Sequence, residues 1–391
     1  MDSIGLERIN PFVLRKQQLT PDARTDDVAQ VADDIGGLHA TSATTPYLSL
    51  CARCRDFRRE GLDAELYERR SLARLRAVRG TIYIYPREFI PVAFAATSRA
   101  NLLPSQRYLE FRGVSSAEYQ SISRAILQAL QGREMSALAI RRVLQTDAHI
   151  PAVLNLMCDQ GLLVRGQPDK GWRDAHHRYA VFGEYLPGLD LTRWSEGEAS
   201  VQVVRRYLRA FGPVSEQDIA WWTGFTRSRV RAALHELRDE LSEIEISGLD
   251  GPWLLLRSEV ERLRETRPAR EPTVNLLPSL DPYLMGYRQR ARWLDDVRTE
   301  CVFDRSGNAT NTVLVNGQAA GVWDMAQAGE PAVKLFLFEE VPEHVLEAIH
   351  AEAQRVGRFI LDQDVAVRQI QEMVPLKRRS AGAVMSPLKG G

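Results

Sequence analysis

The stretch GPVSEQDIAWWTGFTRSRVRAAL, residues 212–234, contains two predicted helix starts separated by a turn. Ser215 and Thr226 each precede a run of helix-forming residues, where a hydroxyl oxygen can accept a hydrogen bond from the first helical turn. Gly224 lies between the two runs and predicts a tight turn. The flanking predictions are a helix over 199–211 and strands over 242–247 and 252–257. Three helices followed by a hairpin is the order of a winged helix.

The same order is predicted once before, in the block that precedes this one. Its predicted elements are helices over 119–130, 136–144 and 151–160 and strands over 162–165 and 178–182, around the polar turn GQPDKGWRDAH. Units of this kind occur in proteins with many functions. Two of them in tandem nevertheless make nucleic acid the leading class of partner.

The first block, residues 1–120, combines amphipathic helices with a dense set of arginines. Thr25-Asp26-Asp27 can cap a helix whose apolar residues recur at helical spacing as far as Leu38. Further helices are predicted from about Tyr47 and over 64–78, and a strand over 81–85. Residues 53–79 contain nine arginines against five acidic residues. On charge alone, a solvated helical surface is the preferred interpretation and a DNA-binding surface is the alternative.

The remaining sequence changes in style after about residue 266. Residues 267–376 contain short strand-like runs with turn signals, which predict an antiparallel sheet or small barrel, and a helix over 342–357. Residues 377–391 contain four basic and no acidic residues and predict a disordered tail. The predicted domains are therefore 1–120, 121–186, 187–266 and 267–376, followed by that tail. The fold class is α+β.

The composition excludes several classes of protein. Of the 391 residues, 44% are hydrophobic and 26% are charged, and 51 basic residues balance 51 acidic ones. No apolar run reaches the roughly 18 residues of a membrane span, and the N-terminus does not resemble a signal peptide. The four cysteines and seven histidines show no metal-ligand spacing. We therefore expect a cytoplasmic protein without a metal, a cofactor or a membrane partner.

Several segments, in the same order along the chain, resemble the family of winged-helix DNA glycosylases typified by AlkZ and YcaQ. They are GLHATSATTPYLSL (37–50), RAVRGTIYIYP (76–86), the stretch 212–234, NLLPSLDPYLMGYRQR (275–290) and VFDRSGNATNTVLVNGQAAGVW (302–323). The resemblance implies three tandem winged helices and a C-terminal barrel that form a concave cradle around duplex DNA. It also implies a monofunctional glycosylase that removes bulky alkylated purines or unhooks crosslinks, an activity with which some members protect antibiotic producers.

The family's catalytic motif, Gln-Φ-Gln or Gln-Φ-Asp, aligns with His39-Ala40-Thr41 in this sequence. Neither glutamine is present, but a neutral imidazole and a hydroxyl can also accept and donate hydrogen bonds. If the chain is extended beyond Gly36-Gly37, His39 and Thr41 share a face and Ala40 points inward. His39 then orients the attacking water or acts as general base. A histidine buried in the core is the alternative.

The remaining candidates are residues that would contact DNA. They are Arg53, Arg55, Arg58, Arg59, Arg74, Arg76, Arg79, His176, His177 and Arg288. Arg290 and Tyr283 are equally suited to a phosphate contact or to a structural role, and Trp221-Trp222 are predicted to lie in the core. Asp33 and Asp34 are alternative carboxylate bases, although a solvated helix face explains them better.

These observations predict a monomeric, nucleoid-associated DNA glycosylase that acts on bulky N7-alkylated purines in double-stranded DNA, for repair or self-resistance. The alternative function is a winged-helix DNA-binding protein or transcriptional regulator without catalysis. No lysine is close in sequence to residues 39–41, which argues against a Schiff-base mechanism.

Overall fold

The computed structural model describes residues 3–268, 271–326, 329–373 and 375–376. The helices in these ranges are α1 (Leu6–Lys16), α2 (Val28–Asp34), α3 (Thr45–Cys51), α4 (Arg59–Asp63), α5 (Ile90–Phe111), α6 (Ser116–Ala129), α7 (Ala137–Leu144), α8 (Ile150–Asp159), α9 (Phe182–Tyr185), α10 (Glu196–Phe211), α11 (Glu216–Thr223), α12 (Arg227–Glu236), α13 (Val260–Glu265), α14 (Thr299–Val302) and α15 (Glu343–Leu361). None of these helices is both long and apolar enough to cross a membrane.

The strands form four sheets. They are β1 (Leu38–His39), β2 (Leu72–Arg76), β3 (Ile82–Pro86), β4 (Met135–Ser136), β5 (Leu163–Pro168), β6 (His177–Val181), β7 (Leu241–Ile246), β8 (Leu249–Leu256), β9 (Val274–Leu277), β10 (Thr312–Val315), β11 (Gln318–Met325), β12 (Ala332–Leu337) and β13 (Ala366–Gln369). The strand orders are β1-β3-β2, β4-β6-β5, β7-β8 and β13-β12-β11-β10-β9.

The helix–helix–helix–hairpin order predicted for the second and third blocks is present in both. Helices α6, α7 and α8 precede the β5–β6 hairpin, and α10, α11 and α12 precede the β7–β8 hairpin. The predicted caps are also found: the Ser215 and Thr226 hydroxyls accept hydrogen bonds from the backbone N–H groups of Asp218 and Arg229. Gly224 ends α11 in the left-handed conformation, with φ of 72°.

Two predictions for the first block are wrong or incomplete. Residues 72–76, predicted to continue a helix, form β2, which pairs antiparallel with β3. A short π-helical turn over Ala64–Glu68 is all that remains of the predicted helix. The prediction failed because Arg74 is buried in the strand, whereas arginines in sequence suggest an exposed helix face. The longest helix, α5, was not predicted.

The C-terminal sheet differs from the expected antiparallel barrel. Strands β9 to β12 are antiparallel, but β13 pairs with β12 in parallel, because α15 carries the chain back across the sheet between them. Among the described residues the end strands β9 and β13 do not pair with each other, so these strands form an open sheet and not a closed barrel. The predicted tail, 377–391, lies outside the described residues.

One apolar core runs through all four predicted blocks. The largest buried cluster contains Phe12 of the first block, Val164 of the second, Tyr207 of the third and Leu277 of the fourth. Smaller clusters lie around α2 and β1, around α6 to α8, and between the C-terminal sheet and α15. The blocks are therefore packed against one another, and residues distant in sequence meet around the short strand β1.

Candidate active site

A two-glycine turn places His39 at the end of β1. Helix α2 ends at Asp34, and Gly36 and Gly37 have φ of 82° and 115°, a conformation that side chains disfavour. A Cβ atom on Gly37 would lie 2.4 Å from the Tyr85 ring. The chain then pairs with β3, with Leu38 opposite Ile84 and His39 opposite Tyr83. The segment beyond the glycines is thus extended, which is the condition stated for His39 and Thr41 to share a face.

His39 lies over a layer of aromatic rings and is almost wholly buried, with 2% of its surface exposed. Its ring centroid is 5.0 Å from that of Tyr83, which stacks on Tyr85 and meets Trp222 edge-on. Burial, and then the charge of Arg79, lower the pKa of His39 to about 3. The imidazole is therefore neutral at physiological pH. Its Nδ1 atom is buried without a hydrogen-bond partner.

Thr41 is placed differently from the expectation. Strand β1 ends at His39. His39 and Ala40 are both buried, whereas Thr41 is exposed. The backbone N–H of Ala40 donates to the Ile82 carbonyl over 2.7 Å. The Thr41 hydroxyl accepts a longer hydrogen bond, 3.4 Å, from the Ile82 N–H. Thr41 therefore closes the end of the β1–β3 pairing next to the His39–Tyr83 pair.

Two arginines and a tryptophan lie close to this site, at the turn between β2 and β3. The Arg79 guanidinium carbon is 4.2 Å from the Trp221 ring centroid, and that of Arg290 is 5.7 Å from it. Arg290 also lies 3.4 Å from the Phe303 ring centroid. Trp222 is a core residue as predicted, but Trp221 is only half-buried. No local pattern in the sequence predicts that these three side chains come together.

Arg53 belongs to the core and is excluded from the proposed DNA surface. It is 0% exposed, and its guanidinium donates two hydrogen bonds of 2.8 Å to the two oxygens of Asp281. It also donates to the carbonyls of Gln17 and Ser49. This corrects the expectation that Arg53 contacts DNA, because none of its surface is available to a phosphate.

Three other arginines of the 53–79 stretch are engaged inside the protein. Arg59 pairs with Asp362 over 2.8 Å and lies over the Trp172 ring, and Arg76 pairs with Asp159 over 2.7 Å. Arg74 is buried against the Tyr67 ring. These contacts join the first block to α15 and to α8, so the nine arginines do not form one exposed surface.

The exposed members of the predicted DNA-binding set are Arg55, Arg58, Arg79, His176 and Arg288. The ring Nδ1 of His176 donates a hydrogen bond of 2.9 Å to the carboxylate of Asp174. His177 is largely buried, and burial followed by the charges of Arg74 and Arg165 lowers its pKa to about 3. The backbone N–H of Arg288 donates to Asp218, which leaves the Arg288 side chain at the surface.

The alternative carboxylate bases are held by other contacts. Asp33 forms ion pairs with Arg206, over 2.7 Å, and with Arg209. Asp34 accepts hydrogen bonds from Gln18 and Gln30, and burial raises its pKa. No group of three His, Cys, Asp or Glu side chains within the described ranges is arranged to hold a metal ion.

Comparisons with known proteins relate this arrangement to one family. A solved structure, the DNA glycosylase AlkZ of Streptomyces sahachiroi, is similar with a TM-score of 0.76 and 19% sequence identity, over 94% of this chain and 100% of that one. At that identity the likeness shows a common fold. No curated protein matches the chain. The family profile of AlkZ-like DNA glycosylases matches residues 32–359, which include the His39 site and most of the chain. The chain therefore belongs to the family of AlkZ-like DNA glycosylases.

Proposed function

We propose that this protein is a monofunctional DNA glycosylase that hydrolyses the N-glycosidic bond of bulky N7-alkylated purines in double-stranded DNA. His39 positions the water that attacks C1′, and Thr41 assists from the end of the strand pairing. The protein acts as a monomer without a metal or cofactor. Removal of such adducts would repair DNA and would protect a producer of DNA-alkylating compounds from its own product.

The observation that carries this proposal is the neutral, incompletely bonded imidazole of His39. A buried polar atom without a partner is unfavourable, so the free Nδ1 atom is suited to a water or substrate atom. With a pKa of about 3, His39 is a weak base and remains an uncharged hydrogen-bonding group at neutral pH. Orientation of water, rather than prior removal of its proton, is therefore the role we assign to it.

Such a site suits a leaving group that is already activated. Cleavage of the C1′–N bond passes through an oxocarbenium-like transition state, and an ordinary base requires protonation to leave. A purine alkylated at N7 is cationic and leaves as a neutral base, so no strong acid is required. Lys16, the lysine of the first block, is buried in a 2.5 Å ion pair with Glu259 and is not available for a Schiff base.

The test is a set of duplex oligonucleotides that contain N7-methylguanine, a bulky intercalating N7-guanine adduct, or uracil. Abasic sites are revealed by base treatment after incubation with the protein. We expect release of the bulky alkylguanine and no release of uracil. Release of uracil alone would contradict the leaving-group argument, and release of only the small adduct would contradict the assignment of bulky adducts as substrates. Tight binding of every duplex without any base release would support the non-catalytic alternative.

A further inference from the structure

Arg79 and Arg290 are two cations that share one aromatic surface and lack an acidic partner. Their guanidinium carbons lie 4.2 Å and 5.7 Å from the Trp221 ring centroid. Neither forms an ion pair with a carboxylate anywhere in the part of the chain that the structure describes. Arg53, Arg59 and Arg76, by contrast, each pair with an aspartate. Arg79 and Arg290 therefore place two uncompensated positive charges at one ring.

Asp218, the acidic residue whose charge acts on Arg290, already accepts hydrogen bonds from other groups. One oxygen of Asp218 accepts the N–H groups of Arg288 and Gln289, and the other accepts the N–H and hydroxyl of Ser215. It attracts Arg290 only from a distance. Burial and the charge of Arg79 lower the pKa of Arg290 to about 10, and the Arg290 Nε atom is buried without a partner. An anion bound between the two guanidinium groups would stabilise the charge on Arg290 and would accept a hydrogen bond from its Nε atom.

The backbone holds Arg79 in this position. Arg79 has φ of 54°, a conformation that non-glycine residues rarely adopt, within the turn that connects β2 to β3. The turn packs against the end of α11, where a Cβ atom on Gly224 would lie 3.4 Å from the Arg79 side chain. Because β3 carries Tyr83, which pairs with His39, this turn fixes the distance from Arg79 to the candidate catalytic residue.

We propose that Arg79 and Arg290 together bind one backbone phosphate of the damaged strand, next to the nucleotide whose glycosidic bond lies at His39. Guanidinium groups bind phosphate oxygens through paired hydrogen bonds, and Trp221 holds both groups in place from one side. We call Arg79 and Arg290 the clamp. The clamp positions the sugar against His39, whereas general electrostatic attraction to DNA does not select one phosphate. This inference rests on the proposed function.

The alternative is that the two arginines only join the first and the C-terminal blocks to the third block through cation–π contacts. That role predicts a loss of thermal stability in Arg79→Ala and Arg290→Ala. It predicts no dependence on any individual phosphate of the DNA. The two roles are therefore separated by changing the DNA rather than the protein.

The experiment is a scan with duplexes that carry one neutral methylphosphonate at successive positions around the lesion. Binding is measured by fluorescence anisotropy, so the result does not depend on base release, and wild type is compared with Arg79→Ala and Arg290→Ala. Arg358→Ala is the control, since Arg358 is an exposed arginine on α15 that pairs with Asp364. We expect one phosphate near the lesion whose neutralisation weakens wild-type and control binding about tenfold or more. The Arg79→Ala and Arg290→Ala proteins should bind that duplex and its unmodified counterpart equally.

Equal loss in wild type and in Arg79→Ala at every position would overturn the clamp. Arg79 is exposed, so its truncation does not open the core, and this variant alone decides the question if Arg290→Ala fails to fold. If Arg79→Ala loses the phosphate effect but wild type releases no base, the clamp is supported. That result would contradict the proposed activity instead.

Discussion

The burial of neutral His39 predicts how the stability of the folded protein depends on pH. In the folded protein His39 stays unprotonated down to a pH of about 3, whereas in the unfolded chain it takes up a proton near 6.5. The unfolded state therefore binds more protons over this interval, and folding stability falls as the pH is lowered through it. His177 shows the same shift and adds to the loss.

His39→Gln should reduce this acid destabilisation, because glutamine does not titrate. Each neutral buried histidine contributes a slope of up to about 1.4 kcal/mol per pH unit below 6.5. The free energy of unfolding is measured by urea denaturation between pH 7 and pH 4. Identical slopes in wild type and His39→Gln would mean that the pKa of His39 is not lowered in the folded state.

The Arg53→Ala variant distinguishes between two roles of Arg53, an ion pair in the core and a contact with DNA. Removal of one partner leaves Asp281 as a buried charge, which typically costs about 3–5 kcal/mol. We expect this loss in the free energy of unfolding, with no change in the salt dependence of DNA binding. Arg58→Ala is the matched comparison: Arg58 is exposed, so stability should change by less than about 0.5 kcal/mol. A normal stability for Arg53→Ala would refute the buried pair.

At the scale of elements, the turn between α2 and β1 is the most constrained part of the candidate site. Gly37 combines φ of 115° with the close approach of the Tyr85 ring, so an alanine there meets both backbone strain and a steric clash. Gly113 has φ of 77°, and a Cβ atom there would meet nothing within 4 Å. An alanine at either position therefore meets backbone strain, but only an alanine at Gly37 also meets a steric clash.

Gly37→Ala should accordingly destabilise the protein by more than Gly113→Ala. Backbone strain alone costs about 1–3 kcal/mol, and the clash with Tyr85 adds to it in Gly37→Ala. Thermal unfolding measures both variants, and base release should fall in Gly37→Ala because the turn sets the position of His39. Equal effects of the two substitutions would show that the contact with Tyr85 does not constrain the turn.

The sequence predicted those elements whose signals are local. Ser215, Thr226 and Gly224 specify caps and a turn within a few residues, and the helices of the second and third blocks follow from them. Strand β2 was mistaken for a helix because its buried residues do not alternate with polar ones: Arg74 packs on Tyr67 inside the protein. Its pairing with β3 is a tertiary property.

The same limit applies to the candidate site. The position of His39 follows from the family motif, but its burial depends on Tyr83 and Trp222, which come from other elements. The meeting of Arg79, Trp221 and Arg290 joins three separate segments of the chain. No spacing in the sequence encodes that meeting, so Trp221 is predicted in the core and the sequence does not decide between a phosphate contact and a structural role for Arg290.

At the scale of the whole molecule, a chain of zero net charge must bind DNA through locally unpaired cations. Several arginines of the 53–79 stretch are neutralised within the protein, which leaves a smaller exposed set. Each phosphate contact lowers the slope of log affinity against log salt concentration by about 0.9 on B-DNA. We therefore expect binding to weaken steeply between about 50 and 200 mM salt.

Fluorescence anisotropy over this salt range measures the slope. Arg79→Ala should make it shallower by about 0.9, corresponding to one lost phosphate contact. Arg53→Ala should leave it unchanged for as long as the protein stays folded. A slope near zero for wild type would contradict binding through phosphates.

The most direct test of the account is single-turnover base release from a duplex with a bulky N7-guanine adduct, comparing wild type with His39→Ala. We expect His39→Ala to be slower by about 10²–10⁴-fold, with nearly unchanged DNA affinity, because its role is to orient the water. Thr41→Ala should be slowed less, and His39→Gln should retain activity, since an amide can also hydrogen-bond a water. Equal rates for wild type and a folded His39→Ala would contradict the assignment of the active site.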